Sequence, residues 1–161
     1  RIDKVLFAAT KADHLHRSSH DRLEAILARL VERARTRAQD RGATLDVVAL
    51  AAIRATREAR VRRQGQEIDA IVGTPEAGQA AGGHVFDGQE DVAVFPGELP
   101  ADPDMLFDPS GAGFRGLASS GADDADFRFL KFRPPEGIGT GPLPHIRLDR
   151  ALQFLLADRL A

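Results

Sequence analysis

Two short apolar runs separated by one long amphipathic segment constrain the fold of this chain more than any other feature. Residues 2–9 (IDKVLFAA) and 45–52 (LDVVALAA) have the length and composition of buried strands. Between them, apolar residues recur at helical spacing on one face: Leu23, Ile26, Leu27, Leu30, Val31 and Ala34. A strand, a helix of about 20 residues and a strand form a βαβ unit with parallel strands and a right-handed crossover.

The two ends of the predicted helix carry recognisable signals. Ser18-Ser19-His20-Asp21 resembles a capping box with Asp in place of Glu. Gly42 follows the last helical turn and is expected to end the helix.

The remainder of the chain predicts a small antiparallel β region and a final helix. Residues 64–126 are rich in Gly, Pro and Asp and contain the short β-prone runs 68–72 and 92–95. Residues 126–133 (DFRFLKFR) predict a third strand there. The final helix begins near Arg147, and we expect its leucines to pack on the parallel sheet: Leu148, Leu152, Leu155, Leu156 and Leu160.

Composition excludes several classes of protein. The 161 residues contain no cysteine, which excludes disulfides and thiolate metal sites. No apolar run is long enough to span a bilayer and no signal peptide is visible, so we expect a cytoplasmic protein. Because the first residue is Arg and the pattern begins inside a strand, we also expect the natural chain to continue upstream.

Charge is distributed unevenly along the chain. Residues 1–63 carry 15 lysines and arginines against 8 aspartates and glutamates, whereas residues 64–133 carry 4 against 13. We expect the two parts to face or to solubilise one another. Nucleic acid is not an expected partner, because the arginine-rich part has a single aromatic residue, Phe7, in a buried strand.

The segment TKAD follows the first predicted strand directly. The loop after the carboxyl end of a parallel strand is where open α/β sheets bind ligands, and in P-loop GTPases an [N/T]KxD segment at this place recognises guanine. Asp13 would accept two hydrogen bonds from the base, the Lys11 stem would lie along it, and Thr10 would tie the loop to its neighbours. The motif is short, and a solvated turn is the alternative interpretation.

Two further observations bear on this interpretation. The second strand ends in a run of small residues where GTPases direct a main-chain N–H at the guanine carbonyl, which here would be the loop of Ala51, Ala52 and Ile53. In addition, only three of the 22 basic residues are lysines, at positions 4, 11 and 131, and one of them lies in the motif.

Other candidate motifs are rejected. GTPEAGQA (residues 73–80) has phosphate-loop spacing, but Gln79 replaces the lysine. FDGQED (residues 86–91) lacks the aspartate that a γ-phosphate-sensing segment requires at position 85. We expect a solvated or capping role rather than metal binding for the histidines near the motif: His14, His16 and His20.

Four separated segments, in order, resemble the YcjX-like family: TKADHLHRSSHDRLEAIL, LAAIRATREA, VFPGELP and LPHIRLDRALQFLLADRLA. Its members are described as P-loop nucleotide-binding proteins of bacteria and often as stress proteins. The resemblance implies a Ras-like GTPase core that binds GTP or GDP with Mg²⁺ and hydrolyses GTP slowly. It also implies that the phosphate loop and the metal-binding segments precede Arg1, so no catalytic or metal-binding residue is expected here.

The prediction is therefore an α/β fold: the C-terminal part of a P-loop GTPase-like parallel sheet, with an inserted antiparallel β region and a C-terminal helix. Residues 1–63 would form the GTPase-like part, 64–142 the insertion, and 143–161 the helix packed on the core. The expected nucleotide contacts are Thr10, Lys11 and Asp13, with Ala51, Ala52 and Ile53. The alternative function is an interaction or regulatory module without nucleotide chemistry, in which the acidic middle is the contact surface.

Overall fold

The computed structural model describes residues 2–63, 65–108, 127, 130–137 and 139–160 of this chain. Within them, the helices and strands follow one another in the order β1 (Lys4–Ala9), α1 (His20–Leu30), α2 (Glu32–Gln39), β2 (Thr44–Ala49), β3 (Arg57–Arg63), β4 (Gln66–Gly73), β5 (Ala80–Ala81), β6 (His84–Val85), β7 (Val92–Val94) and α3 (Leu148–Leu160).

Strands β1 and β2 form the parallel pair that the sequence predicts. They pair residue for residue, from Lys4 opposite Thr44 to Ala9 opposite Ala49. Helices α1 and α2 connect them and divide the predicted single helix at Val31, whose φ of −98° and ψ of 10° depart from helical values. Helical bonding resumes directly, because Arg35 N–H donates to Val31 O (2.9 Å).

The predicted capping box does not form, although the helix begins at this segment, and the predicted helix end is confirmed. Ser19 is the N-cap of α1 and its side chain makes no capping bond. The Ser18 N–H instead donates to His16 Nδ1 (3.3 Å), because residues 17–19 form a 3₁₀ turn that His16 caps. At the other end, Gly42 has φ 82°. Ala43 N–H donates to Ala38 O (3.0 Å) and Gly42 N–H to Gln39 O (2.8 Å), which is a Schellman motif.

Charged side chains cover the outer edge of β2. Glu24 on α1 accepts from Ala49 N–H (2.9 Å), and Arg150 on α3 donates to Val47 O (3.2 Å). Glu24 also pairs with Arg147, and Arg150 pairs with Asp46 (2.8 Å). An edge whose main-chain groups are already bonded to side chains is a poor template for another strand, so these side chains end the sheet at β2.

The second sheet is antiparallel, in the order β3-β4-β7. Strands β4 and β7 confirm the predicted runs 68–72 and 92–95, whereas β3 was not predicted. The division proposed after residue 63 falls between β3 and β4, which pair over the whole length of β3. A core cluster lies beside this sheet: Ile71, Ala81, Phe86, Val94, Leu130 and Phe132.

The predicted strand 126–133 lies partly outside the described residues. Its described part pairs with residues 74–76, where Phe132 forms an isolated bridge with Pro75. Arg133 N–H donates to Thr74 O (2.8 Å) and Glu76 N–H donates to Lys131 O (2.9 Å).

The final helix forms as predicted, but its leucine stripe is not buried on the sheet. Leu152, Leu155, Leu156 and Leu160 are all exposed, and Ala151 is the buried residue of α3. Lys4 on β1 holds the helix by pairing with Asp158 (2.6 Å) and lying over the Phe154 ring. Two strands lie only about 4.8 Å apart, so a helix about 10 Å across keeps much of its surface outside their contact.

Part of the acidic middle region faces the basic first part, as the charge distribution predicts. Arg22 donates to Leu99 O (2.8 Å), Arg29 pairs with Asp104 (2.5 Å), and Arg29 lies over the ring of Phe107. Residues 98–107 therefore lie along α1.

In the described part of the chain, no helix combines the length and apolar character needed to cross a membrane.

Replacing Glu24 tests the role of the covered β2 edge. Glu24→Ala should lower the free energy of unfolding by about 2–3 kcal/mol, because Ala49 N–H and two guanidinium groups lose a largely buried acceptor. Denaturant titration measures this change. Glu67→Ala, at an exposed position of β4, is the matched control and should change stability by less than about 0.5 kcal/mol. Equal effects of the two substitutions would contradict the account.

Candidate functional site

The TKAD loop (Thr10, Lys11, Ala12 and Asp13) leaves the carboxyl end of β1. Thr10 and Lys11 are exposed, whereas Ala12 and Asp13 are buried and begin a 3₁₀ turn. Lys11 has φ 59° and ψ 36°, a left-handed conformation that costs a residue with a side chain about 1–2 kcal/mol. Such strain persists only where the surroundings fix the backbone, and it is concentrated at functional sites.

Three hydrogen bonds to the main chain fix this loop. Ala12 N–H donates to Leu50 O (3.1 Å), just beyond β2. The buried His20 ring donates from Nε2 to Ala12 O (2.9 Å), and the Thr56 hydroxyl donates to Asp13 O. The loop is thus bonded to α1 and to both ends of the segment between β2 and β3.

The Asp13 carboxylate is the chemically distinctive group of the loop. Asp13 is only 5% exposed, and its Oδ2 accepts from Ala55 N–H (2.9 Å). A carboxylate has about four acceptor sites, and Ala55 is its one hydrogen-bond donor among the described residues. The remaining acceptor capacity matches a ligand that presents two neighbouring N–H donors.

The loop of residues 51–55 lies beside Asp13, held by the segment before α3. Ala51 and Ile146 exchange two hydrogen bonds (3.1 and 2.9 Å), and Arg54 N–H donates to Pro144 O (2.7 Å). Ala51 is buried by this pairing. Ala52 and Ile53 are exposed, and their N–H groups have no hydrogen-bond partner within the described ranges.

One cavity of about 300 Å³ brings part of the predicted site together. Lys11, Asp13 and Ile53 line it, whereas Thr10, Ala51 and Ala52 do not. The other lining residues were not predicted from the sequence: His14, Ala55, Glu76, Lys131, Phe132 and Pro134. Four of these come from the region predicted as an insertion, and the scarcity of lysine was the one sequence signal that singled out Lys131.

Close packing of Phe132 joins the insertion to the TKAD loop. The Phe132 ring meets the His14 ring edge-on, with centroids 5.4 Å apart. A Cβ on Gly73 would lie 2.7 Å from Phe132 Cδ1 and 3.2 Å from Ala55 O. The glycine at this position therefore lets the ring approach the loop that contacts Asp13.

His16 and His20 have structural roles, whereas His14 lines the cavity beside Asp13. The expected capping role is confirmed for His16, but neither His16 nor His20 is solvated, since both are buried. Among the described residues, no group of three or more His, Cys, Asp or Glu side chains could hold a metal ion.

GTPEAGQA also has a structural role. This segment leads into the short strand β5 rather than a helix, which agrees with its rejection as a phosphate loop. The Gln79 amide instead bonds the main chain of Lys131 at both its N–H (2.7 Å) and its C=O (2.6 Å).

Burial of His14 predicts a pH-dependent stability. Burial lowers the pKa of His14, and Lys11 lowers it further, against the opposing effect of Asp13. The unfolded chain binds this proton near pH 6.5, and the folded chain binds it only at lower pH. The free energy of unfolding should therefore fall as the pH decreases from about 6.5 towards the folded pKa. Denaturation across this window should show a smaller slope for His14→Gln, and equal slopes would contradict the assignment.

Comparison with known protein sequences finds a matching family and relatives over almost the whole chain. The YcjX-like family, DUF463, matches residues 1–160. A relative named Ras-like GTPase YcjX, from Escherichia coli (strain K12), is 36% identical over 160 residues, which cover 99% of this chain and 29% of that protein. A relative of the same name from Shewanella oneidensis is 30% identical over 167 residues, with the same coverage. The chain thus spans less than a third of the length of these curated relatives, and it belongs to the YcjX-like family.

Proposed function

We propose that this chain supplies the guanine-recognition loop of a protein that binds GTP and GDP and hydrolyses GTP slowly. The observation that carries the proposal is the buried Asp13 carboxylate, which follows the first strand of a parallel pair, opens onto a cavity and keeps free acceptor capacity. The printed names of the two relatives describe them as Ras-like GTPases, which supports the same reading.

The loop residues have distinct roles in this proposal. Asp13 accepts from the N1–H and the exocyclic amine of guanine, while Ala55 N–H holds the other side of the carboxylate. The aliphatic stem of Lys11 lies along the base and its ammonium remains in water. The N–H of Ile53, which lines the cavity, is the donor for the guanine carbonyl oxygen, whereas Ala52 lies outside the cavity. Thr10 stands where asparagine is usual, but it is exposed and does not line the cavity, and the loop is bonded to its neighbours through Ala12 and Asp13 instead.

The phosphate loop and the Mg²⁺ ligands belong, in this proposal, to parts of the protein outside this chain. No catalytic residue is assigned here, and the described residues offer no metal-binding group. The same proposal places the protein in the cytoplasm and assigns the residues before β3 to the GTPase-like part, because β3 pairs with β4 in the antiparallel sheet. The charge complementarity between residues 98–107 and α1 shows that part of the acidic middle contacts this chain itself, so the nucleotide function is preferred to an interaction module.

Asp13→Asn in the full-length protein tests the base contact. Asparagine has one acceptor oxygen, and its amide opposes the exocyclic amine of guanine. GDP binding should weaken by about 3–4 kcal/mol, or roughly 10²–10³ in affinity. Xanthosine diphosphate carries a carbonyl in place of that amine and should bind better to the variant than to the wild type. Competition binding with the two nucleotides measures both changes.

The matched control is Asp40→Asn, an exposed position at the end of α2, and it should leave both affinities unchanged. If the Asp13→Asn protein binds GDP as the wild type does and ignores xanthosine diphosphate, Asp13 does not read the base and TKAD is a turn.

A further inference from the structure

We propose that Lys131, in the inserted β region, is a second lysine of the nucleotide site and donates to the acceptor edge of the guanine base. This inference rests on the proposed function. It adds to the site a residue 120 positions away from Lys11 along the chain, outside the segments that carry the base-recognition motif.

The position of Lys131 on the cavity is fixed by its own main chain. The Gln79 amide bonds both its N–H (2.7 Å) and its C=O (2.6 Å), and Glu76 N–H donates to the same carbonyl (2.9 Å). The next residue, Phe132, is buried against Gly73. The backbone is thus held on both sides of Lys131, and the lysine side chain, itself exposed, lines the cavity that contains Asp13.

The charges around the cavity leave this lysine available to a ligand. Lys4, the lysine remote from the cavity, is paired with Asp158 at 2.6 Å. Lys11 and Lys131 both line the cavity together with Asp13 and Glu76, and among the described residues no carboxylate lies within ion-pair distance of either ammonium group.

The acceptor edge of guanine needs a hydrogen-bond donor in the cavity. Asp13 accepts hydrogen bonds from the N1–H and the amine of guanine, but the base also carries two hydrogen-bond acceptors, O6 and N7. The donors at the cavity are the N–H of Ile53, the His14 ring, which packs edge-on against Phe132, and the ammonium groups of Lys11 and Lys131. Because the Lys11 stem lies along the base in the proposed function, Lys131 is the side chain left for the acceptor edge. Adenine presents an amine in place of O6, so a lysine here also favours guanine over adenine.

The test is calorimetric binding of GDP, ADP and guanosine to the full-length protein and to Lys131→Met, which removes the donor and the charge. Loss of one charge contact near water is worth about fivefold in affinity, so GDP and guanosine should each bind about fivefold more weakly. The preference for GDP over ADP should fall as well. Lys131→Arg should recover most of the binding, and Arg37→Met, at an exposed position of α2, should match the wild type. Thermal melting confirms that each variant is folded.

The outcomes separate this inference from the function on which it rests. Wild-type protein that binds no guanine nucleotide would overturn both. Wild-type binding with an unchanged Lys131→Met variant would overturn the lysine contact alone. A loss seen with GDP but not with guanosine would also overturn it, because Lys131 would then act on the phosphates and not on the base.

Discussion

Asp13 joins the two sheets of this molecule through hydrogen bonds of both its main chain and its side chain. Its carbonyl oxygen accepts from the Thr56 hydroxyl and its carboxylate from Ala55 N–H, and both partners immediately precede β3. Because β3 pairs with β4 along its whole length, these bonds fix where the antiparallel sheet lies relative to β1. The cavity forms where residues of that sheet region, notably Phe132, come against the TKAD loop.

The C-terminal segment completes this arrangement from the other side. Pro144 and Ile146 bond the loop of residues 51–54, and the arginines that follow pair with Glu24. Arg147 itself has φ 55°, a conformation that its bonds to Glu24 and Asp21 help to hold; the same contact with Arg147 lowers the pKa of the Asp21 carboxyl. The segments that converge on the site are therefore far apart in sequence. Hydrogen bonds, ion pairs and a small buried apolar cluster of Ala12, Ala49, Ala51 and Ile146 hold them together.

Local patterns predicted the parts of the fold that depend on local physics. The βαβ unit follows from apolar periodicity, and the helix end follows from Gly42, which can adopt a positive φ. Strand β3 was missed because its sequence, REARVRR, has only two apolar residues. The exposure of the α3 leucines depends on how many strands lie beneath the helix. The spacing of apolar residues in the helix sequence does not reveal that number. The candidate site also combines local and long-range features. TKAD was predicted from its position after a strand, but the location of Lys131 at the cavity depends on long-range contacts of Gln79 and Phe132.

The central claim is that the cavity beside Asp13 holds a guanine base. The most direct measurement is a crystal structure of the full-length protein with GDP. We expect the base to lie in this cavity, with Asp13 accepting hydrogen bonds from both N1–H and the exocyclic amine while Ala55 N–H remains bonded to its Oδ2. A structure in which GDP is bound but the base lies outside this cavity, with no contact to Asp13, would contradict it.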